Sequence, residues 1–368
     1  MRKQRMDTRL LVSISLLVFA GFLIFMSASL GLLARDSAHF GSIAFKQIFF
    51  GLLPGLVCLY AFSRIDHTYW RKMSFWIFAG AVVLNLVIFI PGVGLNHGGA
   101  TRWLLIGPFS LQVSEVLKIA AVMYFAAWLS FIKDKASDFK KGFIPLCFML
   151  FVTGVLCLLQ PDTDTYIIIA SALVAMFIAA GGKWRHIVSL GAVGLIGLAL
   201  LAFARPYVMA RIQTFLDPSA GASQGSGYQI NQSLIAIGSG GITGRGFGQS
   251  IQKFNYLPEP VGDSIFAVAA EEFGLIGGLV LLGLYVFFGL RTLKVALSAE
   301  NQFGTLLAVG IATFIIVQSF VNIGAMAGVL PLSGIPLLFV SQGGTALLFV
   351  LAESGILLNI SRTARLRR

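Results

Sequence analysis

Leu10-Leu-Val-Ser-Ile-Ser-Leu-Leu-Val-Phe-Ala-Gly-Phe-Leu-Ile-Phe-Met-Ser-Ala-Ser-Leu-Gly-Leu-Leu33 contains no charged residue. A bilayer-spanning helix needs about 20 apolar residues, and a signal-peptide core runs only about 7–15. The basic stretch from Met1 to Arg9 is therefore expected to precede a retained first membrane helix. The same pattern recurs along the chain. Further apolar segments at 43–63, 73–91, 112–132, 142–159, 163–181, 186–204, 264–290, 303–329 and 336–360 predict an all-α polytopic membrane protein of about ten transmembrane helices. No repeat of 20–50 residues is visible, so 1–368 reads as a single membrane domain.

Composition agrees. Of 368 residues, 57% are hydrophobic and 11% charged, against roughly 25% charged in soluble domains. Mean hydropathy is +0.87. The net charge of +12 would suggest nucleic acid in a soluble protein, but the basic residues here sit in short loops between apolar runs. Membrane topology explains them, and no nucleic-acid partner is expected. Nineteen of the 27 Lys and Arg residues fall on the face that holds both termini, seven on the other, and Lys118 lies within a helix. That asymmetry predicts cytoplasmic termini. Cys58, Cys147 and Cys157 lie in apolar segments without metal spacing and read as small hydrophobes.

Two loops on the outer face are too long to be turns. One covers 92–111 and includes His97, Arg102 and Trp103. The other, between the seventh and eighth helices, runs from 205 to 263. Ordinary connections are about 4–6 residues. The second loop is glycine-rich and polar but carries apolar stretches such as 233–237, so a folded loop at the membrane surface is expected. Its Gly238–Gly248 stretch follows no strand and is no nucleotide fingerprint. Its amides, with Arg245, suit an anion-binding nest.

Charged residues inside membrane segments line sites or pair with one another. Glu115 and Lys118, spaced i,i+3, share a helix face; they form either a structural ion pair or part of a substrate cavity. Glu271, Glu272 and Glu353 each need a partner. Asp162 and Asp164 follow Pro161 and read as N-caps. Asp263 ends the long loop directly before the eighth helix. Its two readings are an N-cap and a general base whose pKa is raised by partial desolvation. Glu259 is the reserve acid on the same loop.

The stretch Gly227-Tyr228-Gln229, Gln232 through Gly241, Gly244 through Gly248, Gln252-Lys253, Leu257-Pro258-Glu259, Asp263 through Ala267 and Glu271 through Gly274 resembles the large outer loop of the SEDS (shape, elongation, division and sporulation) family, the FtsW/RodA/SpoVE proteins. Gly99-Ala-Thr-Arg-Trp-Leu104, Gln160-Pro161-Asp162 with Thr165, Asn322-Ile-Gly324, Leu330 through Leu337 and Ser341-Gln-Gly-Gly344 also resemble that family. Met26–Gly31 and Gln249–Glu259 are closer to its division branch than to its shape branch. Five positions depart: Val261-Gly262 stand for the usual His-Thr, Val113 for proline, Asp164 for glycine and Gln342 for tyrosine.

The resemblance implies a peptidoglycan glycosyltransferase in division or shape maintenance. It would polymerise lipid II at the outer face of the bacterial cytoplasmic membrane, with inversion. A class B penicillin-binding protein and other divisome or elongasome membrane proteins would be partners. Asp263 would be the catalytic base. Arg102, Trp103, Glu115, Lys118, Asp162, Arg245, Lys253, Glu259 and Ser341 would contact substrate, with Arg102, Arg245 and Lys253 as cations for the pyrophosphate. A divalent cation, magnesium or manganese, at the leaving pyrophosphate is left open, since no metal cage is visible. Two other readings stay open: a lipid II flippase or transporter, and a non-catalytic divisome scaffold.

Overall fold

A computed structural model describes residues 6–33, 37–97, 100–106, 109–217 and 225–364. Each of the ten expected apolar segments falls at least partly on a helix. α1 is Thr8–Leu33, α2 Ser37–Lys46 and α3 Leu53–Arg64, the last two joined by a π-turn at Gln47–Leu52. Next come α4 at His67–Val87, α5 at Val113–Ile132, α6 at Ile144–Leu159, α7 at Thr163–Ala179 and α8 at Trp184–Ala204. Two helices, α9 at Pro206–Leu216 and α10 at Gly225–Gly240, occupy the long loop. α11 at Ile265–Leu297, α12 at Gln302–Met326 and α13 at Gly344–Thr363 complete the bundle. Among the described residues, eight spans are long and apolar enough to cross a membrane, and α7 is a shorter apolar helix. Phe19, Trp76, Phe131, Phe151, Leu195 and Phe203 are exposed. Such side chains on the outside of helices mark a surface solvated by lipid rather than water.

Small residues let the helices approach. A Cβ on Gly355 of α13 would lie 2.6 Å from the carbonyl oxygen of Leu59 on α3, and one on Gly55 of α3 would meet the Leu351 side chain at the same distance. Gly21 and Gly31 of α1 do the same against the backbones of Phe339 and Lys253. α1 is thereby fixed against both irregular segments that build the site.

Two sequence expectations change. The helix expected over 336–360 begins only at Gly344. Pro331 and Pro336 interrupt the segment before it, and its backbone groups are taken by side chains. Asn322 Nδ2 donates to the Ile335 carbonyl, Gln318 Nε2 to that of Pro336 and Gln47 Nε2 to that of Ser341; Gly343 N donates to Gln47 Oε1. Irregular backbone within a membrane bundle is tolerated only where protein satisfies it in this way. The 92–111 loop also contains a small antiparallel sheet in the order β1 (Gly94–His97), β2 (Ala100–Ile106), β3 (Phe109–Gln112). The side chain of His97 lies outside the described residues.

α11 is one helix with a break at Gly274, where φ is 65° and ψ −165°. Only glycine tolerates that conformation, and a Cβ there would lie 2.3 Å from the amide nitrogen of Gly244. Through this break the glycine-rich strip docks on the helix. Arg245 N donates to the Glu271 carbonyl, Gly246 N to Glu272, Leu275 N to the carbonyl of Gly241 and Ile276 N to that of Ile242. The amides of Arg245 and Gly246 are thus spent on carbonyls and are not free to receive an anion.

Candidate active site

Asp263 stands one residue before the N-cap of α11. The turn leading to it is pinned from three sides. Gly262 N and Ser264 N both donate to the Glu259 carbonyl, at 3.0 and 3.2 Å. Ser341 Oγ donates to the Gly262 carbonyl at 2.8 Å, and Gln342 N to that of Val261 at 2.7 Å. Asn322 Nδ2 donates to the Asp263 carbonyl at 2.8 Å, while Gln229 Nε2 of α10 donates to Ser264 Oγ at 3.0 Å. The backbone is thus held by α12 and the 331–343 segment, while α10 holds the adjoining Ser264 side chain. The carboxylate has no such task. Ser264 is the N-cap, and no side chain caps the helix. The capping role weighed for Asp263 is therefore not the one it has.

Around the carboxylate lie charges from three other elements. Arg211 of α9 pairs with Asp164 of α7, Nη1 to Oδ2 at 2.8 Å. The same Asp164 oxygen accepts from Gly334 N at 3.3 Å. A Cβ built on Gly334 would sit 3.6 Å from both Arg211 Nη2 and Asp263 Oδ2, so guanidinium and carboxylate flank one point. Burial pushes the Asp263 carboxyl up to about 7. The neighbouring Glu259 and Asp164 add to the rise, and Arg211 and Arg102 oppose it.

The remaining expected residues do not converge as a set. Arg102 Nε donates to the Gln160 carbonyl at 3.2 Å, its Nη2 to that of Pro161, and Nη1 lies 3.7 Å from Asp162. Asp162 caps α7 through Thr165 N, while its Oδ2 is buried without a hydrogen-bond partner. Trp103 is adjacent in β2, where alternation turns it to the opposite face from Arg102. Lys253 is buried, with Nζ 2.6 Å from Glu272 and 2.9 Å from the Gly248 carbonyl. Arg245 Nε lies 3.4 Å from Glu271, which also accepts from Ser250 Oγ, Ile251 N and Gln252 N. Lys253 and Arg245 thus brace the loop against α11. Glu115 and Lys118 pair at 2.8 Å inside the bundle. Ser341 lies beneath the Asp263 turn, and its oxygen also accepts from Leu337 N.

This arrangement can be set beside known proteins. The FtsW/RodA/SpoVE family of cell cycle proteins matches residues 7–366. The chain belongs to that family. It is 36% identical over 367 residues to "Stage V sporulation protein E" of Bacillus subtilis, covering 99% of each chain. A Legionella pneumophila protein named "Probable peptidoglycan glycosyltransferase FtsW" is 39% identical over 321 residues, covering 86% of this chain and 80% of that one. Among solved structures, a chain of a peptidoglycan synthase complex that coordinates polymerization and crosslinking superposes with a TM-score of 0.81 at 24% identity, covering 97% and 98% of the two chains. The rod shape determining protein RodA of Thermus thermophilus gives 0.70 at 23%, covering 98% of each. These likenesses establish the fold of a multi-pass membrane protein of the FtsW/RodA/SpoVE family.

Sequence reasoning missed Arg211 and Asn322 and gave Asp164 only a capping role. Arg211 lies in an unexceptional basic stretch with no spacing relation to Asp263. Asn322 was visible only as part of a family-like motif. For Asp164 one signal existed: an acid where the family resemblance expects glycine.

Proposed function

We propose that this chain is a peptidoglycan glycosyltransferase that polymerises lipid II at the outer face of the bacterial cytoplasmic membrane. One observation carries the reading: Asp263 sits on a turn whose backbone is held by α12 and the 331–343 segment, and its carboxyl neither caps a helix nor is hydrogen-bonded among the described residues. A carboxylate held there with a pKa near neutrality can take a proton. In the reaction, the acceptor sugar hydroxyl attacks the anomeric carbon of the donor. The bond from that carbon to the pyrophosphate breaks with inversion. Asp263 receives the hydroxyl proton, and undecaprenyl pyrophosphate leaves. The curated relatives named as peptidoglycan glycosyltransferases support this reaction class. The likeness to a chain of a synthase complex supports a class B penicillin-binding protein as partner, alongside other divisome or elongasome proteins. Among the described residues no group of three His, Cys, Asp or Glu could hold a metal ion. A divalent cation would thus be carried mainly by the substrate phosphates, and no step here is routed through one.

Purified chain, with and without its partner, should convert labelled lipid II in detergent into glycan polymer without any gradient. Movement of lipid II across vesicles without polymer would instead favour the flippase reading. Inactivity in both assays would favour the scaffold.

Orientation has its own test. The excess of Lys and Arg on the face opposite the site supports a cytoplasmic orientation of that face. With the three native cysteines replaced, Thr243→Cys should react with an impermeant maleimide in intact cells and Asp134→Cys should not. The reverse pattern contradicts the topology.

A further inference from the structure

Four charged groups face Asp263: Glu259 from its own loop, Asp164 from α7, Arg211 from α9 and Arg102 from β2. Arg102 is engaged with the α6–α7 turn, and Glu259 is exposed. Arg211 and Asp164 differ from both. Their contact at 2.8 Å joins two helices that are far apart in sequence, and Asp164 also receives the amide of Gly334. Both side chains are only partly exposed, at 28% for Arg211 and 16% for Asp164. The Tyr207 ring lies 5.9 Å from the guanidinium carbon, so an aromatic face supports the cation from its own helix. Gly334 leaves the space between guanidinium and carboxylate open, since a side chain there would enter it.

We propose that Asp164 and Arg211 form a positioning pair for Asp263, tying α7, α9 and the 331–336 segment together so that one guanidinium is fixed beside the catalytic carboxylate with its charge partly compensated by a second acid. This inference rests on the reading of Asp263 as the base. Neither member of the pair takes the proton in the reaction. Asp164 holds Arg211 in one place, and the balance of the two charges sets the range in which Asp263 is ionised. Arg211 favours the ionised carboxylate; Asp164 disfavours it.

The test is the pH dependence of kcat/KM for lipid II polymerisation by the full chain. Its acid limb reports ionisation of the base in the free enzyme. Asp164→Asn removes a negative neighbour, so the limb should move to lower pH. Arg211→Gln removes a positive one, so it should move to higher pH. Each shift should be roughly half a unit to one unit, at the lower end of single-charge effects for a partly solvated site. Arg211→Lys keeps the charge, and should hold the limb near its parental position and recover part of the rate lost in Arg211→Gln. Lower rates with an unmoved limb, or shifts of both variants in one direction, would overturn the pair as a positioning device and leave it a structural tie. Should Asp164→Asn fail to fold, Arg211→Lys against Arg211→Gln decides alone, because coincident limbs would overturn the proposal. Asp263→Asn separates the two levels of the account. Parental activity in that variant removes the base itself; a dead variant with unmoved limbs in the others removes only the pair.

Discussion

Lys118→Met should lose most of its folded, extractable protein, and adding Glu115→Gln in the same chain should restore much of it. Lys118 Nζ lies 2.8 Å from Glu115 Oε1 and 2.7 Å from Gln318 Oε1, with both members of the ion pair almost wholly buried. Methionine keeps the apolar stem but leaves the Glu115 carboxylate without its cation and Gln318 Oε1 without its donor. Glu353 of α13 interacts electrostatically with both residues and has a buried Oε1 lacking any hydrogen-bond partner. Removing one partner of a buried pair typically costs about 3–5 kcal/mol, a large share of the ~5–15 kcal/mol that holds a domain together. The double variant replaces the pair by a neutral amide and an apolar chain, and such replacements are often close to neutral. Detergent-solubilised thermal melts of the parent, both single variants and the double variant form a double-mutant cycle. A double variant no more stable than Lys118→Met would show that the pair is not mutually dependent, and would return Lys118 to the substrate cavity.

This pair was legible in the sequence because i,i+3 spacing on a helix fixes a shared face. The pair of Lys253 and Glu272 was not: it joins a loop to a helix across 19 residues, and no periodicity relates them. Lys253 therefore read as a free cation when its side chain is wholly enclosed. The membrane helices were legible because apolar length is nearly sufficient to specify them. The same rule misread 336–343, which is apolar enough for helix. Its prolines break the pattern, and its backbone depends on Gln47, Gln318 and Asn322, which are remote in sequence. α10 escaped notice because a polar, glycine-rich composition carries little helical signal, and α9 because its 11 residues are too few for a membrane span. α10 is held by packing instead, as at Gly240, where a Cβ would lie 2.1 Å from the Ala270 carbonyl oxygen.

Of the site, the acid was legible and its surroundings were not. Position before a helix made Asp263 equally a cap or a base, and only the turn geometry, with Ser264 in the cap position, separates the two. The cations named for the pyrophosphate were chosen by face. Face alone could not distinguish Arg211, at the carboxylate, from Lys253, buried against Glu272.

That geometry sharpens what Asp263 variants should do. Asparagine preserves shape but cannot accept a proton at neutral pH, and loss of a general base typically costs about 10²–10⁴ in rate. Since the carboxylate caps nothing, Asp263→Ala should lose activity equally without the roughly 0.5–2 kcal/mol penalty of a deleted cap. The sign of the pH effect also follows. The folded-state pKa is raised to about 7 from the ordinary aspartate value of 3.8. The unfolded chain therefore ionises first, and this acid makes the fold less stable as pH rises between those values. Asp263→Asn should accordingly melt no lower than the parent at pH 8. The most direct measurement compares initial rates of lipid II polymerisation at neutral pH for Asp263→Asn and Glu259→Gln beside the parent. The expected result is loss of polymer in the first, with most activity kept in the second, whose carboxylate is exposed on the same turn. Near-parental polymerisation by Asp263→Asn, with or without loss in Glu259→Gln, would contradict the assignment of Asp263 as the base.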